Sequence, residues 1–148
     1  MIETELQTYI HEHIPISIAL GIEVKEATLD KVIVSAPLLP NINHKNTAFG
    51  GSLHAVATLS CWSLVFVNLQ QYSEPTEIVI AKSEVDYLAP VNSDFTAECI
   101  LNDRQEWIRF EAALRKKGKG RIKLNAKICQ ASKLAVDYHG EFVAIAKK

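Results

Sequence analysis

The sequence predicts an α+β fold: one long buried helix enclosed by a curved antiparallel sheet of about six strands. Three observations carry this expectation. The stretch from Ser52 to Gln71 is long and free of Gly and Pro. It is apolar on most of its circumference, through Leu53, Val56, Leu59, Trp62, Val65, Phe66 and Leu69, so it must be wrapped rather than laid on a surface. A hairpin-like segment precedes it, and strand-length segments rich in β-branched and aromatic residues follow it. The 148 residues suffice for one substantial core, and no repeat, low-complexity tract or linker interrupts them, so residues 1–148 read as one domain.

Taken in order, Leu6, Tyr9, Ile10 and Ile14 fall at helical spacing and predict a short amphipathic helix from Glu3 to Ile14, ended by Pro15. From Gly21 to Leu38, apolar and polar residues alternate on either side of Leu29-Asp30-Lys31, as two antiparallel strands about a tight turn require. The segment LPNINHKNTAFGG, Leu39 to Gly51, holds turn formers without a period and reads as a loop feeding the central helix. After Ser73 to Pro75, strands are expected at Glu77–Leu88, Phe95–Leu101, Trp107–Leu114, Arg121–Gln130 and Leu134–Ile145. Between the third and fourth of these, KKGKG reads as a hairpin turn, because Ile108, Phe110, Ala112 and Leu114 can share a face with Ile122, Leu124, Ala126 and Ile128.

Apolar residues make up 48% of the chain, charged residues 22%, and the net charge is −1, a balance that points to neither a nucleic-acid nor a membrane partner. Cys61, Cys99 and Cys129 cannot all pair within one chain and form no CxxC, which fits free thiols in a reducing compartment. The start, MIETELQTYIHEH, is acidic and polar where a secretory signal is basic and then apolar, so a cytoplasmic location is expected. His11, His13 and His139 lack metal-ligand spacing, and no metal is expected.

Two strings narrow the fold further. Asn43-His44-Lys45-Asn46-Thr47-Ala48-Phe49-Gly50-Gly51 resembles the Asn-x-x-Gly-Thr-x-His-Gly-Gly loop that leads into the central helix of the hotdog thioesterase superfamily, with Asn43, Thr47, Gly50 and Gly51 matching. Glu84 to Val91, EVDYLAPV, is similar to the Tyr-Leu-x-Pro-Val strand end that follows that helix. With the order of elements and a closing GEFVAIA strand, the resemblance covers nearly the whole chain. It is nearest to thioesterase domains that carry Phe-Gly-Gly and stand behind an acetyltransferase domain in some bacterial proteins; within these 148 residues no acetyltransferase domain is expected. The resemblance implies a hotdog fold and hydrolysis of an acyl-coenzyme A or acyl-carrier-protein thioester by water. It also implies a site between subunits of a homodimer or dimer of dimers, with Glu77–Leu88 as the contact. Coenzyme A enters as part of the substrate, and no separate cofactor is expected.

Thioester hydrolysis builds negative charge on the carbonyl oxygen, and unpaired N–H groups at a helix N-terminus can stabilise it. Gly51 N–H is therefore the first candidate donor, with Phe49 and Gly50 beside it as substrate contacts; the alternative is that the glycines only permit a tight entry to the helix. Asn43 occupies the position from which relatives orient water or contact the thioester, and an amide suits positioning rather than proton removal. Relatives with His-Gly-Gly carry a carboxylate nine residues after that His; here Phe49 replaces the His and Thr58 the carboxylate. Three accounts remain open. Thr58 and Asn43 position a water that His44 or His54 deprotonates, with His44 favoured because it adjoins Asn43. Glu84 or Asp86 reaches across the interface. Or the site binds acyl thioesters without efficient turnover.

His54, Thr58 and Cys61 recur at i, i+4 and i+7 and share one helix face, either lining the cleft or forming a polar stripe satisfied in the core. Apolar surroundings make Cys61 a packed thiol rather than a nucleophile. Ser52 lies outside any GxSxG elbow and is expected to cap the helix. The basic run Arg115–Arg121 reads as a solvated hairpin tip before a phosphate site. Two other functions stay in view. A non-catalytic acyl-thioester module would want an effector domain, for which the segment before the first strand is too short. A hydroxyacyl-thioester dehydratase would want a His with an acidic partner, and none is legible.

Overall fold

A computed structural model of the chain describes residues 2–147. The elements are α1 (Ile2–His13), α2 (Ile16–Leu20), β1 (Glu23–Ala27), β2 (Lys31–Ala36), a 3-10 turn (Leu39–Asn41), α3 (Gly50–Leu69), β3 (Thr76–Tyr87), β4 (Phe95–Ile100), α4 (Arg104–Lys117), β5 (Lys119–Gln130) and β6 (Lys133–Ala146). The strands form one six-stranded sheet in the order β1-β2-β4-β5-β6-β3, antiparallel throughout. Along β5, Gly120, Ile122, Leu124, Ala126 and Ile128 are buried while Arg121, Lys123 and Lys127 are exposed. The buried face holds α3, whose Val56, Ala57, Cys61 and Leu64 join Val32, Val34, Ala97, Ala126 and Tyr138 in one core. This is the hotdog architecture. Helix α3 has the length and hydropathy of a membrane span, yet 67% of that stretch is buried inside the fold, as befits a core helix.

The expected opening helix is present as α1 and ends before Pro15; the short α2 beyond it was not foreseen, because five residues carry too little periodicity. Gly21 ends α2 at φ +75, and a Cβ there would meet the Pro37 ring at 2.7 Å. Helix α3 begins at Gly50, two residues before the expected start.

One expected strand is a helix. Trp107–Leu114 lies within α4, where Trp107, Phe110 and Leu114 are buried at i, i+3 and i+7 while Ile108 is 50% exposed and Ala112 faces solvent. The alternation through Ile108, Phe110, Ala112 and Leu114 coincides with the helical stripe at only two positions. The ends decide the matter: the Asp103 side chain accepts from Gln105 N–H at 2.9 Å, and Gly118 closes the helix at φ +74. KKGKG is thus a helix end running into β5, and β5 turns back into β6 through Ala131 (φ 51) and Ser132 (φ 66). Helix α4 packs on β5, and its first residue, Arg104, ties it to the end of α3 and the β1–β2 turn by donating to Asn68 Oδ1 (2.9 Å), Leu29 O (2.9 Å) and Asp30 Oδ1 (2.6 Å).

Strand β3 pairs with β6 on one side only and forms a sheet edge. The register shifts between Ile80 and Lys82, and a bulge of this kind bends an edge and re-aims its side chains.

Candidate functional site

The loop before α3 is shaped by its own polar residues. Ile42 and Ala48 form an antiparallel bridge. Asn43 Oδ1 accepts from Lys45 N–H (2.8 Å) and Thr47 N–H (3.2 Å), while its Nδ2 donates to Thr47 Oγ1 (2.9 Å). The Asn43 amide is therefore engaged in folding the loop. His44 stands exposed on its outside.

Phe49 is the N-cap of α3 in an extended conformation and supplies no side-chain cap. Leu53 N–H closes the first turn on Phe49 O at 3.1 Å, so the N–H groups of Gly50, Gly51 and Ser52 have no partner within the helix. Ser52 sits in the first turn rather than at the cap, contrary to expectation, because the helix starts earlier than its apolar run. Tyr87 Oη donates to Gly50 O at 3.0 Å, and a Cβ on Gly51 would lie 2.5 Å from the Phe49 ring. A side chain at 51 would therefore require the half-exposed Phe49 ring to move aside.

One turn further on, α3 and β3 enclose a groove of about 640 Å³, within the usual range for small-molecule sites. Its lining is mostly apolar: Ile14, Ile16 and Leu20 around α2, Ala55, Leu59 and Trp62 on α3, Ile78 and Ile80 on β3, and Phe142. Into it project His54, Thr58 and Ser83. His54 Nε2 lies 3.0 Å from Ser83 Oγ. Thr58 O–H donates to His54 O at 2.9 Å; with that proton used, the Tyr138 phenol 2.9 Å away donates to Thr58 Oγ1. The Tyr138 ring also meets the His54 ring edge-on, with centroids 5.4 Å apart. Burial pushes the Tyr138 phenol up to about 12, the Thr58 hydroxyl opposing and Cys61 and Cys99 reinforcing the shift, so at neutral pH it is a donor.

The structure brings His54 and Thr58 together and adds Ser83 and Tyr138, which sequence reasoning missed. Ser83 shares strand parity with Val85 and Tyr87, and a polar residue on that face is the signal that was available. Cys61 is fully buried, and burial beside Cys99 raises its thiol pKa well above the ordinary value. Asn43, His44, Phe49, Gly50 and Gly51 do not line the groove of a single chain. Glu84 and Asp86 lie in register with His139 and Asp137 on the sheet face opposite Ser83. A second cleft of about 660 Å³ opens there, lined by Lys82, Lys123, Glu84 and Glu141 among others.

Four likenesses bear on this arrangement. A family described as "Putative thioesterase (yiiD_Cterm)" matches residues 3–146. The crystal structure of a protein of unknown function from Chlorobaculum tepidum is 33% identical, covers 99% of this chain and 95% of its own, and superposes with a TM-score of 0.92. A thioesterase structure from Shewanella oneidensis, its description qualified as the family's is, is 28% identical over 97% of each chain, with a TM-score of 0.83. A Pseudomonas aeruginosa protein described as a "Probable Thioesterase" has a TM-score of 0.80 at 17% identity over 97% of this chain and 96% of its own, a likeness that speaks for the fold alone.

Proposed function

Because the chain belongs to the hotdog-fold thioesterase family, we propose that it hydrolyses the thioester of an acyl-coenzyme A or acyl-carrier protein, with the acyl chain in the groove between α3 and β3. The observation that carries this reading is the convergence of His54, Thr58 and Ser83 in a groove whose other lining is largely apolar. In this mechanism Ser83 O–H donates to His54 Nε2 and accepts a proton from the attacking water, so the proton passes through Ser83 to the imidazole. The hydroxide adds to the carbonyl carbon, the C–S bond breaks, and the imidazolium returns the proton to the leaving thiolate. The base role goes to His54 rather than His44 because only His54 lines the groove. Thr58 and Tyr138 hold the turn that carries His54.

The oxyanion calls for preorganised backbone donors, and Gly50 and Gly51 are not in the lining of one chain's groove. The free N–H groups of Gly50 and Gly51 have the right chemistry, and a second copy paired along β3 supplies them together with its Phe49 and its Asn43-shaped loop. The proposed unit is accordingly a homodimer, or a dimer of dimers. A cytoplasmic location accords with the free thiols of Cys61 and Cys99, both buried.

A second reading, binding without turnover, has one observation in its favour: Thr58, at the position of the relatives' carboxylate, is held by two hydrogen bonds and has no acid-base function. Thiol release from short-chain, long-chain and aromatic acyl-coenzyme A and from acyl-carrier protein separates the two. Turnover is the expected result; saturable binding with no release on any carrier supports the second reading.

A further inference from the structure

The groove ends at an aromatic stack. Trp62 stands two turns along α3 from His54, about 12 Å by the rise of an α-helix. Its ring stacks on Phe66, with centroids 5.0 Å apart and planes 15° apart, and Phe66 packs at 4.5 Å on Tyr9 of α1. Tyr9 is stacked in turn on His13 at 3.9 Å. Beyond Trp62 the fold has a second hollow of about 650 Å³, and Trp62 and Ile78 line both spaces. The partition between the groove and this hollow is therefore built from these two side chains, and the indole is braced from behind by two further rings.

We propose that Trp62, with Ile78 beside it, is the stop that sets acyl-chain length, so that the substrates are thioesters of short to medium acyl chains that end against the indole. This rests on the acyl-thioester reading above. Each methylene that enters an apolar groove gains about fourfold in binding. The gain ceases where the chain meets a ring that cannot swing aside without breaking its stack. A longer chain must leave the groove for water.

The test compares chain-length profiles, from butyryl to palmitoyl, for the wild type and three variants. Two readouts are used: thiol release from acyl-coenzyme A, and binding of the matching non-hydrolysable thioether analogues of coenzyme A. Trp62→Ala joins the two hollows, and Ile78→Ala thins the partition with less loss of packing; both are expected to move the optimum to longer chains, by about fourfold per added methylene. Ala55→Leu fills the groove on the near side of the indole and is expected to move the optimum to shorter chains. Opposite shifts in either readout support the stop. Superimposable profiles for folded variants and wild type overturn it even if all hydrolyse thioesters. Length-dependent binding that shifts as expected without turnover upholds the stop and removes the hydrolase reading; failure to bind any analogue overturns both.

Discussion

At the residue scale, His54 and Ser83 are joined in one hydrogen bond and in the proposed proton path. His54→Gln keeps a polar side chain and removes the base, so kcat is expected to fall about 100-fold or more. Ser83→Ala breaks the relay while leaving the imidazole, and a comparable fall is expected, with the acidic limb of the pH profile altered. If Ser83→Ala turns over like the wild type, water reaches His54 directly and the relay is wrong. Tyr138 supports a separate prediction. Its phenol is held near 12 in the folded protein, against an ordinary value of about 10. Above about pH 10 the unfolded chain releases this proton and the folded chain does not, so the unfolded state is favoured as pH rises. The resulting loss of stability, complete near pH 12, is roughly 2 to 3 kcal/mol. Denaturant melts at stepped pH are expected to show a Tyr138-dependent decline across that window, absent in Tyr138→Phe. The variant should also be less stable at neutral pH by about 1 kcal/mol, for the hydrogen bond lost from Thr58.

At the scale of elements, α4 marks where reading the sequence failed and why. Period-2 and period-3.6 patterns overlap at Phe110 and Leu114, and the capping Asp103, which separates them, was not weighed as a helix start. Asp103→Ala is expected to lower stability by about 1 kcal/mol, seen as a fall in Tm of a few degrees. Gly120→Ala should cost more, because a Cβ there lies 2.6 Å from the Phe110 carbonyl oxygen and α4 must back away from β5. Thermal melts that leave both variants at the wild-type Tm would contradict this account of α4. The central helix was legible because nothing but burial explains an apolar surface on all sides. The β5–β6 turn was not, since Ala131 and Ser132 adopt positive φ without the Asn or Gly that announces it. Within the site, His54 and Thr58 could be paired from i, i+4 spacing alone. Ser83 and Tyr138 reach them from strands that only tertiary packing brings near, and α2, which forms one side of the groove, was too short to register as a helix.

At the scale of the whole molecule, β3 is the feature that a single chain leaves unresolved. Twelve residues long and paired on one side only, it offers backbone N–H and C=O groups along its open edge and exposes Val79 (44%) and Ile80 (42%). Edges of this kind are normally blunted by charge or covered, and the stretch Ile78-Val79-Ile80-Ala81 has no charge to blunt it. The proposed pairing with a second β3 across a two-fold axis would cover it, and the proposed mechanism requires that pairing to bring the helix N-terminus of one copy to the groove of the other. Val79 is the residue with which to test this, because it lies outside the groove lining and is already half exposed, so a charge there should leave the folded chain intact. Val79→Glu places a like charge on both edges. Sedimentation is expected to show the assembly dissociating at low salt, with loss of thiol release in parallel, while the far-ultraviolet circular dichroism stays that of the wild type. A monomeric Val79→Glu that retains turnover would place the oxyanion donors in the same chain as His54, and the interface role of Gly50 and Gly51 would fall.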